Sequence, residues 1–226
     1  MKTPFVNIHT HSANNIDNKD FIEIRNIDVD SIVNTDVSFL FSIGIHPWTL
    51  SDKDEKICQA ILECIECNIG RRNLIAIGEC GLDRVHKDTL ERQRDIFLKH
   101  VALSEKYHKP LIIHSVKSYP DIISIRKETK ATQKWILHGF QGNEQTVRQL
   151  LSYDFYFSLG DVLFKDEKKA STLLNVIHRD KLFLETDDSK RDIADVYKKV
   201  SAITSIDIEE LKNIVFNNFV KIFGEI

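Results

Sequence analysis

The stretch "QRDIFLKHVALSEKYHKPLIIHS" (residues 93–115) decides the fold. A charged segment of helical length, read as a helix over 88–107, runs into a short apolar strand, "PLIIH" (110–114), that ends in a histidine. The same unit recurs along the chain. Strands are expected at 5–9, 38–46, 73–79, 134–138, 154–159 and 181–185. Helical stretches are expected at 52–69, 117–129, 143–152 and 166–178. A last helix, 208–223, places Ile208, Leu211, Val215, Phe219 and Ile222 on one stripe, with Asp207 as its N-cap and Gly224 as its stop. Repeated βα units imply a parallel sheet, and strands buried on both faces read as continuous apolar runs. Seven such strands, with an eighth at "FIEIRNI" (21–27), predict an α/β fold: a (β/α)8 TIM-type barrel forming one domain over residues 1–226. A doubly wound open sheet is the alternative, but no Gly-rich nucleotide loop follows the first strand.

One region departs from this pattern. Only nine residues, 12–20, separate "NIHTH" from "FIEIRNI". A parallel crossover usually needs about a dozen residues or more. The first helix is therefore expected to be missing or reduced. The second strand alternates polar and apolar residues, so it is expected to be irregular, with an antiparallel orientation as the alternative.

Composition narrows the function classes. The chain has 226 residues, 42% hydrophobic and 29% charged, with a formal net charge of −3. There is no overall basic field to hold nucleic acid non-specifically, so such a substrate would need local basic loops or metal ions. No apolar run approaches the roughly 20 residues of a membrane span, and "MKTPFVNIHT" lacks the pattern of a signal peptide. Cys58, Cys64, Cys67 and Cys80 form no secretory framework, so a cytoplasmic location is expected. The CxxC at 64–67 has no second pair. It lies in a helical segment whose apolar stripe is read as Ile57, Cys58, Ile61, Ile65 and Ile69, so ordinary helix cysteines are expected.

Polar chemistry collects at the strand ends. The first strand ends in His9-Thr10-His11, and residues i and i+2 of a strand point to the same side. His46 follows the next long strand, then Glu79 and Asp83, His114, His138, and finally Glu185, Asp187 and Asp188. In a (β/α)8 barrel the C-terminal strand ends open onto one face, where active sites are built. A lone histidine at a strand end is more often a hydrogen-bonded structural group, and HxH alone is a weak signal. Six suitable side chains at five strand ends are harder to explain that way. His9, His11, Glu79, His114, His138 and Asp187 suit divalent cations, and suffice for two ions if one carboxylate bridges.

The blocks HxH, "GIHPW", "GECGLD", "QRDIFLKHVALSEKYHKPLIIHS", "LHGFQGN" and "FLETD" occur in that order. Together they resemble the TatD family of metal-dependent deoxyribonucleases, within the amidohydrolase-like TIM barrels. The resemblance runs from residue 5 to about 188. It implies that His9 and His11 hold one ion with Asp187, that His114 and His138 hold a second, and that Glu79 bridges the two. It further implies a catalytic role for Asp187, as proton acceptor or shuttle, beside that of Glu79. His46 would contact substrate, and Asp83 would support the loop after its strand. The implied cofactors are two divalent ions (Zn, Mn or Mg), and the implied reaction is phosphodiester hydrolysis by metal-bound hydroxide on DNA or a related substrate, with no membrane and no obligatory protein partner. Family members commonly begin the first block with Asp, where this chain has Asn7. The segment between HxH and "GIHP" is shorter than the family's, and the "ETD" block continues as "DSKRD", without proline.

Of the basic residues on the expected active-face loops, Arg84 is the first candidate for a phosphate contact, ahead of Lys117, Lys165, Lys190 and Arg191. Two other functions use the same ligands: ester or amide hydrolysis, such as deacylation of an aminoacyl-tRNA, and a metal-binding barrel without turnover.

Overall fold

A computed structural model describes residues 2–12, 19–28 and 38–225. Eight strands lie in one sheet in chain order: β1 (Phe5–Thr10), β2 (Phe21–Asn26), β3 (Phe41–Ile43), β4 (Leu74–Asp83), β5 (Leu111–Val116), β6 (Trp135–Leu137), β7 (Tyr156–Leu159) and β8 (Leu182–Leu184). Among the described residues the helices are α1 (Glu55–Asn68), α2 (Leu90–Tyr107), α3 (Tyr119–Thr129), α4 (Glu144–Leu151), α5 (Val162–Lys165), α6 (Glu167–Val176), α7 (Ile193–Thr204) and α8 (Ile208–Phe223).

The residues group into two compact units, Met1–Arg25 with Leu137–Ile226, and Asn26–Ile136. In the first unit, the Tyr197 hydroxyl of α7 pins β1, accepting from the Val6 amide and donating to the Val6 carbonyl, each at 3.1 Å. Phe155, Tyr156, Phe157, Phe183 and Phe219 fill its core. In the second unit, all ten residues of β4 are buried between β3 and β5, and Phe97 of α2 packs edge-on against Trp135, 5.4 Å between centroids.

Three expectations are corrected. β2 pairs parallel with β1, so the antiparallel alternative is wrong. Its irregularity is a register shift: Asn7 faces Glu23 but Thr10 faces Arg25, one extra residue on β1. The chain makes this parallel connection with the ten residues from His11 to Asp20. His11, Ser12, Lys19 and Asp20 are not helical, and the rest of the expected helix-free segment, 13–18, lies outside the described residues. On α1, Ile57 is 45% exposed, and the buried stripe is Cys58, Leu62 and Ile65, continued by Ile69 at the C-cap. Counting one position further round the 3.6-residue turn moves the stripe to Leu62. Finally, the helix Ile193–Thr204 has no counterpart in the sequence reading, although Asp192 accepts from the Ala194 amide as a side-chain N-cap.

The last helix is as expected. Asp207 Oδ1 accepts from the Glu209 amide at 2.8 Å, Gly224 closes it at φ +82°, and Leu211, Val215 and Phe219 are buried. Asp207→Ala is expected to cost about 1 kcal/mol, read as a lower urea midpoint at unchanged slope. An unchanged midpoint would show the cap to be idle.

Candidate metal centres

In the first unit the backbone places Asp187 between His9 of β1 and His11 just past its end. Its amide donates to the His9 carbonyl at 3.1 Å, and the His11 amide donates to its carbonyl at 3.4 Å. Asp187 takes a left-handed turn, φ +51°, just past β8. Its Oδ1 then lies 3.5 Å from His9 Nε2 and 3.6 Å from His11 Nε2, with the carboxylate side chain 39% exposed. His138, after β6, brings its ring to 4.3 Å from that of His9, and its Nδ1 lies 3.6 Å from Glu185 Oε1. Two donor sets result, His9–His11–Asp187 and His138–Glu185–Asp187, with ligand atoms within 4.8 Å of one another.

Asn7 is buried two residues before His9. Its Nδ2 donates to Thr186 Oγ1 at 2.8 Å and its Oδ1 accepts the Thr186 amide at 3.1 Å. The Thr186 hydroxyl in turn donates to Thr10 Oγ1 at 3.1 Å. The neutral amide thus clamps β1 to the segment that carries Asp187.

In the second unit, Glu79 Oε1 lies 2.8 Å from His114 Nδ1 and 3.0 Å from His46 Nε2, and the carboxylate is buried. These three form a third donor set. The glycines of "GECGLD" explain how Glu79 is held. Gly78 and Gly81 have φ +147° and +140°, and a Cβ at either would lie 2.4 or 2.1 Å from the carbonyl oxygen of Ile112 or His114. Only glycine lets β4 lie this close to β5 in that conformation. The Glu79 amide donates to Asn26 Oδ1 at 2.6 Å.

Behind His114 stands Asp83. His114 Nε2 is 3.2 Å from Asp83 Oδ2, so one ring nitrogen faces Glu79 and the other a carboxylate, an arrangement that orients metal-binding histidines. Asp83 also accepts from the Val85 amide at 2.8 Å and from the Trp48 indole at 2.6 Å. Burial pushes the Asp83 carboxyl up. The bonds from Trp48, Val85 and His114 outweigh this and hold it below the usual range.

The donor chemistry fits a metal. Ligands about 2.0–2.2 Å from a shared ion sit roughly 3–3.5 Å apart, the spacing seen at Glu79 and close to that at Asp187. Imidazole with carboxylate suits Zn²⁺ and Mn²⁺, and carboxylate also suits Mg²⁺.

A protein-family model described as TatD related DNase matches residues 13–224. The chain belongs to the TatD family. An uncharacterized metal-dependent hydrolase from Buchnera aphidicola (from Acyrthosiphon pisum) is 31% identical over 207 residues, 83% of this chain and 78% of that protein. The uncharacterized metal-dependent hydrolase YcfH of Escherichia coli K12 is 26% identical over 200 residues, 81% and 73% of the two chains. The crystal structure of the TatD homologue YJJV from Escherichia coli K12 superposes with a TM-score of 0.84 at 19% identity, over the whole of both chains. That likeness shows the fold, the (β/α)8 TIM-type barrel expected from the sequence. Membership of the TatD family makes the chain one of a family of metal-dependent hydrolases.

Within the TatD pattern, this structure adds residues that sequence reasoning left out of the ligand set. Glu185 stands beside His138, accepts the Gly139 amide, and keeps its buried Oε2 without a hydrogen-bond partner among the described residues. Its signal was its place two residues before Asp187. His46 shares Glu79 with His114. Asp83 does support the following loop, and it orients His114 as well. Arg84 is exposed and forks onto Asp121 at 2.6 and 2.7 Å, which holds the Asp121 carboxyl below its usual range. Lys165 and Arg191 both meet Asp161, at 2.6 and 2.8 Å, while Lys117 and Lys190 are exposed.

Proposed function

We propose that this TatD-family chain, as a single domain over residues 1–226, is a deoxyribonuclease that cleaves phosphodiester bonds, with His9, His11, Glu79, His114, His138 and Asp187 holding two divalent ions. The observation that carries this reading is the pairing of imidazoles with Glu79 in one unit and with Asp187 in the other, at spacings that fit metal ligation. Bound divalent ions would neutralise phosphate charge and make a water more acidic. The chain's own residues then have separate tasks. Asp83 holds His114 so that Nδ1 is offered to the side of Glu79. Glu79 and Asp187 bring carboxylate oxygens to groups of imidazole nitrogens, a donor set that favours cations there. Asp187, whose carboxylate side chain is 39% exposed, would accept a proton from an attacking water. His46 and Arg84 are the proposed substrate contacts, and Arg84 would have to exchange Asp121 for phosphate. The four free cysteines support a reducing, cytoplasmic setting.

The test is elemental analysis of the purified protein, followed by assays on single-stranded DNA and on aminoacyl esters with Zn²⁺, Mn²⁺ or Mg²⁺ restored. Metal-dependent cleavage of DNA is expected. Turnover of the esters alone would overturn the nuclease reading, and the absence of bound metal under every condition would overturn the site.

A further inference from the structure

The motif "GIHPW" contributed only His46 to the functional reading, and Trp48 was left without a role. The structure leaves this indole 52% exposed, although it is the bulkiest apolar side chain available to bury. Its polar edge is nevertheless tied down: Nε1 donates to the buried Asp83 at 2.6 Å, and Asp83 contacts His114 in turn. Around it stand three imidazoles. His46 meets it edge-on at 4.9 Å, His114 edge-on at 5.7 Å, and His86 lies tilted at 5.8 Å. Val85, 59% exposed, follows on the same loop as His86. An exposed tryptophan can be an incidental surface residue, but such a ring is free to change rotamer. Here the Asp83 bond fixes the plane of the ring, so its exposed part is a preformed flat surface beside the His46–Glu79–His114 set.

We infer that Trp48 is a stacking platform for a nucleobase of the substrate, placing the phosphate of the same or the adjoining nucleotide at the Glu79–His114 set. This rests on the phosphodiesterase reading above and specifies how the substrate is gripped. A base offers a π-face whatever its identity, so such a platform tolerates any sequence and requires the base to be unpaired. Base–aromatic stacking corresponds to roughly 10–100-fold in binding. Arg84, the residue favoured by sequence for substrate contact, would meet phosphate rather than base on leaving Asp121, so the two proposed contacts are complementary.

The chain has two tryptophans, and Trp135 is fully buried, so intrinsic fluorescence separates them. The probe is single-stranded oligothymidylate, mixed by stopped flow with the Mn²⁺-loaded protein and compared with an oligomer of equal length made of abasic residues. The base-bearing oligomer is expected to quench the exposed emission, and the abasic one to leave it unchanged. Trp48→Ala is expected to weaken the base-bearing oligomer about 10–100-fold by fluorescence anisotropy, with the abasic oligomer unaffected. A purely structural role, in which Trp48 only steadies Asp83 and His114, would weaken both oligomers alike and overturn the platform. Equal quenching by the two oligomers, or none by either, would overturn it without any variant. Quenching with no hydrolysis under any metal would refute the nuclease reading and keep the platform. Hydrolysis without quenching would do the reverse.

Discussion

Glu79→Gln is expected to lower hydrolase activity about 10²–10³-fold, the size of loss that follows removal of one preorganised electrostatic partner, and to reduce bound metal. The Glu79 carboxylate serves two histidines through one oxygen, Oε1, at 2.8 Å from His114 and 3.0 Å from His46. Glutamine keeps the volume but carries no charge, so the two imidazoles, 3.3 Å apart between Nε2 and Nδ1, face each other across a neutral amide. A cation placed there loses its compensating charge. Metal content is measured by elemental analysis, activity on single-stranded DNA, and integrity of the fold by circular dichroism and thermal midpoint. Full metal content with full activity in the variant would remove Glu79 from the site. Lost activity with retained metal would keep its catalytic role and reassign the ligand role.

The second large effect concerns acid stability. His100 lies fully buried on α2 and uses both ring nitrogens. Nδ1 donates to the Ile96 carbonyl at 2.8 Å, which makes Nε2 the acceptor for the Ile45 amide at 3.0 Å. Protonation would place a second hydrogen against that amide, donor against donor, at a residue buried from solvent. Burial accordingly lowers its pKa from 6.5 to about 4, against a smaller raising effect of the Ile96 carbonyl. The unfolded chain thus binds this proton more readily than the folded one. The stability His100 confers is complete above about pH 6.5, falls as the pH drops, and is lost below about pH 4. The loss amounts to roughly 3 kcal/mol over that window. Urea unfolding of wild type and His100→Gln between pH 7.5 and 4 checks it, because the amide can both donate and accept yet does not titrate. The variant is expected to lose roughly 3 kcal/mol less than wild type across the window. Parallel curves would show that His100 does not set the acid limit.

The legible parts of this protein are those set by local pattern. The alternation of apolar strands with amphipathic helices showed in residues 93–115 and, among the described residues, is repeated from β3 onward. The Asp207 cap was legible because capping involves residues two apart. The orientation of β2 was not legible: the short connection left an antiparallel strand open as the alternative, and the register shift between Asn7 and Thr10 shows only in the pairing of β1 with β2. Asp192 was equally well placed as a cap but carried no signal to distinguish it from other aspartates in a charged loop.

The sequence by itself determined which groups stand at the strand ends, histidines and carboxylates, none of them embedded in a helix stripe, and a family order of motifs. The tertiary structure alone decided which groups meet. Strand pairing puts Asp187 between His9 and His11, and two glycines bring β4 close against β5, setting the height of Glu79 relative to His114. Packing chose Asp121 as the partner of Arg84 and anchored Trp48 on Asp83. Such pairings depend on distances of 2.6–3.6 Å between residues up to 178 positions apart. No local periodicity encodes them, because a change in register or one added bulge moves a side chain by more than the length of the bond in question.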